Sequence, residues 1–243
     1  MSQLVSFVQA RISSKRFPGK SVLLVDGIPS FVRVAEASRD AGIHTVVITT
    51  DNLVDDVIVD VGEQYGLEVY RGDEHNVLKR YADAAAHFGA TDVMRLTGDC
   101  CLLHPTIIKI VSKVYREFVG FDYVATAIGI EGRRNFPDGL DCEVFSFKAL
   151  KEAEIGADTF FYLEHPTKWV TDHSDKFKIL HLECWQDYRH VKISLDTLED
   201  WFIINKIAKK RHGGTLPEFI ILCEESQKLR DLILPAPSWQ EIA

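Results

Sequence analysis

Four cations fall within ten residues near the start of the chain: Arg11, Lys15, Arg16 and Lys20, with no acid among them. They lie in the stretch QARISSKRFPGK, directly after the apolar run Leu4 to Val8. The chain as a whole carries a formal net charge of -8. A basic loop on an acidic protein, placed after an opening strand, suits a polyanion. Cationic side chains balance phosphate charge, and small residues such as Ser13, Ser14 and Gly19 let backbone N–H groups approach phosphate oxygens. The loop is not a Walker A motif. Gly19-Lys20-Ser21 matches the end of one, but Ser14 stands where its first glycine belongs.

Two aspartates form the acidic counterpart. Asp99 lies in MRLTGDC and Asp196 in VKISLDT, and each follows a predicted strand. In open α/β sheets, ligands bind beyond the carboxyl ends of the strands. Two carboxylates facing a cationic loop suit a Mg²⁺-nucleotide, because Mg²⁺ takes one or two carboxylates plus phosphate oxygens and water. Further along, Glu164 and His165 are adjacent. Such a pair orients a substrate or shuttles a proton, and equally fits a histidine satisfied by a structural hydrogen bond. The five cysteines form no CxxC and the nine histidines no HExxH, so no zinc or redox motif is written here.

The elements that must position these groups follow from periodicity. The first half predicts strands at 4–8, 44–49, 67–70, 92–96 and 123–127. Helices alternate with them at 29–41, 54–65, 76–88 and 105–118, and Gly42, Gly66 and Gly89 close the first three. This order implies a mostly parallel sheet with helices on both faces. Residues 129–141 read as a loop. Strands are expected at 142–147, 177–185 and 190–195, and helices at 148–157, 197–211 and 223–233. Thr197 and Asp200 form a capping box at the head of the 197–211 helix. The expectation is one domain over 1–243, with a substrate or dimer element at about 129–190 and a C-terminal helix and tail at about 214–243.

Composition narrows the function classes. At 243 residues with 46% hydrophobic content, a sizeable core is available. No apolar run approaches the ~20 residues of a bilayer span, so a cytoplasmic location is the default expectation. Net acidity argues against a broad nucleic-acid surface.

At this point an N-terminal signature and six further ordered blocks identify a relationship. QARISSKRFPGKSV resembles the N-terminal signature of the acylneuraminate and Kdo cytidylyltransferases, the CMP-sugar synthetase superfamily, and most nearly its SpsF-like branch. The resemblance continues through TTDNLVDD, YRGDEHNVLKRY, MRLTGDCCLLHP, FPDGLDCEVFSF with YLEHPT, and ISLDTLED. It implies a Rossmann-type, GT-A-like nucleotidyltransferase fold, Mg²⁺ dependence, assembly as a homodimer, and transfer of CMP from CTP to a sugar acid. An acceptor that is a sugar or alditol phosphate stays open, as does a glycosyltransferase that consumes a nucleotide sugar. By the same resemblance, Arg11, Arg16 and Lys20 would hold the triphosphate, with Ala10, Ser13, Arg71 and Thr97 around the nucleotide. Asp99 and Asp196 would bind the metal. Asp138, Asp141, Glu143, Glu164 and His165 would lie near the acceptor. One departure stands out: Cys101 occupies the place where relatives usually have proline, which puts the rigidity of the turn behind Asp99 in doubt.

Overall fold

The computed structural model describes residues 3–118, 120–126, 135–210 and 214–233. Strand β1 (Leu4–Gln9) precedes a short hairpin, β2 (Leu24–Val25) and β3 (Ile28–Pro29). Helices and strands then alternate: α1 (Ser30–Asp40), β4 (His44–Thr50), α2 (Asp56–Gln64), β5 (Glu68–Gly72), α3 (Val77–His87), β6 (Asp92–Thr97), α4 (Pro105–Glu117) and β7 (Tyr123–Ala125). Next come β8 (Glu143–Ser146), α5 (Phe147–Gly156), α6 (Phe160–Glu164), α7 (Lys168–Asp172) and β9 (Ile179–His181). Helices α8 (Leu198–Lys210) and α9 (Leu216–Ile233) end the described chain.

Seven strands form one sheet in the order β5-β4-β1-β6-β8-β7-β9. Strands β5, β4, β1 and β6 run parallel, as does the β7–β9 pair. Strand β8 runs antiparallel to both β6 and β7. Leu4 and Val8 of β1 pack into one core, with residues of α1, α4, α8 and α9. Val5 and Phe7 pack into the other, with residues of α3, α5 and α7. A strand covered on both faces loses polar alternation, which is why the first strand reads as a continuous apolar run.

Some sequence expectations change. The strand at 190–195 is absent as a strand. A single parallel bridge joins Asp138 to Lys192. The reason lies in how its backbone is satisfied. Ile193 N–H donates to Asp138 O at 2.7 Å, while Leu195 N–H donates to Asp99 O at 2.9 Å. Its pairing is divided between two loops. The strand at 177–185 shrinks to Ile179–His181, because its partner β7 offers only three residues. The last helix starts at Leu216, not at 223, because Thr215 and Glu218 cap it. Thr215 N–H donates to Glu218 Oε2 at 2.8 Å. Ala127 and part of the 129–141 loop, with Arg133 and Arg134, lie outside the described residues, as does the tail beyond 233.

Candidate active site

The basic loop is folded on itself before it meets any ligand. Ser14 and Gly19 both donate their N–H groups to Ile12 O, at 2.8 and 2.9 Å. Gly19 adopts φ +76°, a region that favours glycine, and from it a single 3-10 turn, Lys20–Val22, begins. The buried Asp55 carboxylate fixes the loop's root. It accepts from Ile12 N–H at 2.7 Å and from the Thr50 hydroxyl at 2.5 Å. Ser21 Oγ donates to Arg11 O at 2.9 Å and closes the loop. The loop thus presents side-chain cations, and two of the small-residue amides that could have faced phosphate are already used.

Lys20 is the centre of the arrangement. Its Nζ stands 2.5 Å from Asp99 Oδ2 and 2.8 Å from Asp196 Oδ1. Arg16 adds a second cation 2.8 Å from Asp196 Oδ1. Burial works against the Lys20 charge, and the two carboxylates outweigh it, Asp99 foremost, so the ammonium titrates above its ordinary value. Burial likewise opposes the charge on Asp196. The Lys20 bond, with Lys192 and Arg16 beside it, nevertheless holds this carboxyl below the usual range.

Asp99 and Asp196 reach one point because their turns are bonded directly, through Leu195 N–H and Asp99 O. The Asp196 turn is then locked from below. Asp200 Oδ2 accepts from the N–H groups of Asp196 and Thr197 at 3.1 and 3.0 Å and from Lys192 Nζ at 2.6 Å. Thr197 Oγ1 accepts in return from Asp200 N–H at 3.2 Å, completing the capping box expected from the sequence. On the other side, Cys100 N–H donates to Thr97 O, and Leu103 N–H to Cys100 O. The turn behind Asp99 is therefore closed with Cys101 in it.

Two adjoining cavities open at this point. The first, about 330 Å³, has the basic loop on one wall and Val77, Glu164 and His165 on another. The second, about 510 Å³, is acidic: Asp138, Asp141, Glu143 and Asp196 line it, with Phe161, Thr167 and Lys168. Arg16, Arg95, Thr97, Asp99 and His165 border both. Arg11 lies 3.6 Å from Glu164 across the first cavity.

Most of the sequence-predicted residues converge here: Arg11, Arg16, Lys20, Thr97, Asp99, Asp138, Asp141, Glu143, Glu164, His165 and Asp196. Three do not line either cavity. Ala10 is buried, its N–H donating to Ile48 O. Ser13 is exposed on the loop. Arg71 is turned away, its guanidinium donating to Thr50 O, Asn52 O and Asp56 Oδ1.

Glu143 borders the second cavity but spends both oxygens on the protein. It meets Arg95 at 2.6 Å, the Tyr123 hydroxyl at 2.8 Å and Thr167 Oγ1 at 3.3 Å. Arg95 is the residue that sequence reasoning missed. The available signal was an arginine inside a strand, MRLT, with a glutamate inside a neighbouring predicted strand. Cys100 and Cys101 are both buried. Burial, helped by Asp141 and Asp99, pushes the Cys100 thiol well up, and burial lifts Cys101 to about 12.

The donors that converge at Lys20 Nζ are the carboxylates of Asp99 and Asp196. Among the described residues no group of three His, Cys, Asp or Glu forms a ligand cage. The two carboxylates that close on one cation at Lys20 Nζ match the donor set of Mg²⁺, which completes its shell with phosphate and water.

The architecture and this chemistry have known counterparts. The family model for cytidylyltransferases matches residues 5–205. The spore coat polysaccharide biosynthesis protein SpsF of Bacillus subtilis is 26% identical over 227 residues, 90% of each chain. A cytidylyltransferase structure from Leptospira borgpetersenii superposes with TM-score 0.85 at 24% identity, covering 96% of this chain and 97% of that one. A CMP:2-keto-3-deoxy-manno-octonic acid synthetase solved with CTP superposes with TM-score 0.66 at 14% identity, covering 86% of this chain and all of that one. The fold therefore matches nucleotidyltransferases, and the chain itself belongs to the cytidylyltransferase family, in its SpsF-like branch.

Proposed function

We propose that this nucleotidyltransferase transfers CMP from CTP to a hydroxyl of a sugar acid, releasing pyrophosphate. The observation that carries the reading is Lys20, whose ammonium joins the basic loop to both aspartates at 2.5 and 2.8 Å. That one contact brings the basic loop and the two carboxylates to the same point, which supports a shared phosphate and metal site. CTP is supported by the family and by the CTP bound to the synthetase of similar fold.

In this reading the triphosphate lies along Arg11, Lys15, Arg16 and Lys20 in the first cavity. The acceptor lies in the second, its hydroxyls toward Asp138 and Asp141 and its carboxylate toward Lys168. The acceptor oxygen forms a bond to the α-phosphorus. The bond from that phosphorus to the bridging oxygen breaks, pyrophosphate leaves with the electron pair, and the hydroxyl proton passes to water. Such transfers depend on positioning and charge neutralisation. Arg16 and Lys20 supply cations where charge gathers on the departing pyrophosphate. Asp99 and Asp196 would hold Mg²⁺, which neutralises phosphate charge and lowers the pKa of a nearby hydroxyl when bound. A homodimer is part of the proposal. Exposed Phe160 and Phe161 of α6, the latter lining the second cavity, offer it an apolar surface, and light scattering in solution tests it.

The direct test is thermal shift against CTP, UTP, ATP and GTP, with and without Mg²⁺. A ligand at about 100 times its Kd stabilises by about 2.7 kcal/mol. A CTP-selective shift enhanced by Mg²⁺ is expected, and pyrophosphate release then screens acceptors. No shift with any triphosphate would refute the reading.

A further inference from the structure

Arg95 occupies a place that neither the basic loop nor the aspartates fill. It belongs to β6, and its register partner across the antiparallel pair is Glu143 of β8. The two side chains meet at 2.6 Å. Glu143 is held in turn by the Tyr123 hydroxyl and Thr167 Oγ1, so the guanidinium rests on a buried, fully engaged carboxylate. Arg95 is nevertheless not sealed off: its side chain keeps 20% exposure and borders both cavities. Arg16 also borders both, but at 68% exposure on a surface loop. Arg95 is the half-buried cation of the junction and Arg16 the exposed one.

The junction has a chemical meaning. A group passed from a nucleotide in one cavity to an acceptor in the other must be bonded to both in turn, so its phosphorus lies where the cavities meet. A guanidinium has five N–H donors and no acceptor. Nη1 is committed to Glu143 and Nε is buried, and the part of the guanidinium that still borders the cavities offers N–H donors and a positive charge, which suit an anion best. We infer that Arg95 is a catalytic residue that contacts the α-phosphate oxygens, with Glu143 as its positioning residue. The inference rests on the proposed nucleotidyl transfer and adds to it. Because burial of the pair fixes the guanidinium before the reaction, no reorganisation is needed as the phosphoryl group moves, which is the condition for strong electrostatic stabilisation. Burial opposes the Arg95 charge and the Glu143 carboxylate overcomes it, so the cation persists at every working pH.

The experiment measures binding of CMP, pyrophosphate and the two diastereomers of CTPαS, all with Mg²⁺. CMP reports on the α-phosphate and pyrophosphate on the β and γ sites. Arg95→Lys is compared with wild type and with the double variant Arg95→Gln/Glu143→Gln, which leaves no unpaired buried charge. A lost charge-assisted contact predicts about 10- to 100-fold weaker CMP binding in the double variant. Pyrophosphate affinity should stay within about 2-fold, and the preference between CTPαS diastereomers should collapse. Arg95→Lys should keep charge and lose the diastereomer preference. Unchanged CMP binding and diastereomer preference would overturn the assignment, as would equal losses for CMP and pyrophosphate. If wild type binds neither CTP nor CMP, the nucleotide reading falls and this assignment with it. Wild-type binding with wild-type-like variants overturns Arg95 alone.

Discussion

The two cavities share the end of β6 and are built by opposite rules. The first cavity, the proposed nucleotide side, sits on parallel strands β5, β4, β1 and β6, and most of its cations come from a loop that follows one strand. The second cavity, the proposed acceptor side, sits on antiparallel β8 and on segments that pair only in short bridges. One side gathers cations that are near in sequence. The other gathers carboxylates, Asp138, Asp141 and Asp196, from two distant stretches. Local spacing can write the first kind of site into a sequence. The second exists only through tertiary contacts, and the two are joined by Lys20.

That contrast can be broken at its joint. Asp196→Ala should abolish pyrophosphate release, a loss of about 10³-fold or more, with the fold retained. It should also remove the Mg²⁺ enhancement of CTP binding. Retained turnover at normal Mg²⁺ would refute the metal assignment. Lys20→Met should cost about 10²-fold in turnover, by analogy with other electrostatic stabilisers. The same variant should bind Mn²⁺ more tightly without nucleotide, because the ammonium no longer stands between the carboxylates. Calorimetry reads that change, and weaker Mn²⁺ binding would count against it.

Smaller effects separate the two sides further. Gly139→Ala tests the acceptor side. Gly139 adopts φ +106°, and a Cβ there would fall 2.7 Å from the Ile193 and Ser194 backbone. Nothing flexible can give way, so the variant should lower stability by several kcal/mol, read by denaturant midpoint. Asp200→Ala removes three bonds from the Asp196 turn and should cost about 1–3 kcal/mol. Arg71→Ala should change CTP affinity by less than about 2-fold, because that guanidinium faces Asp56 and solvent. A large loss would return Arg71 to the nucleotide side.

The joint also has a defined pH range. Asp196 titrates below its ordinary 3.8, so its contribution to stability is present above that value and lost as pH falls through the lower folded value. Lys20 titrates above 10.5, so its contribution is present below that value and lost as pH rises through the higher folded value. Between these limits the pair should contribute a constant stability, which denaturation across pH can verify.

How much of this was legible follows the same division. The parallel half could be read because strands, helices and closing glycines repeat at local periods. The basic loop, Asp99 and the Thr197–Asp200 capping box could be read because each is a short motif. The direction of β8 could not, since alternation does not encode which neighbour a strand joins. Segment 190–195 has β-branched residues and the right alternation. It fails as a strand because its amides answer two different loops. Arg71 matches a family block, yet Asp56, one helix earlier, captures its guanidinium. Arg95 escaped because its meaning depends on Glu143, 48 residues away.

The bond from Leu195 N–H to Asp99 O has a consequence for how the protein is made. Domains emerge from the ribosome N-terminal end first. A nascent chain halted before Leu195 already carries the basic loop, Lys20 and Asp99, but lacks the turn that delivers Asp196. During synthesis Lys20 therefore has one carboxylate to meet in place of two. The carboxylate pair proposed to hold the metal comes into being only with the last fifth of the chain, so a truncated product would retain the basic loop without the pair that the proposed reaction needs.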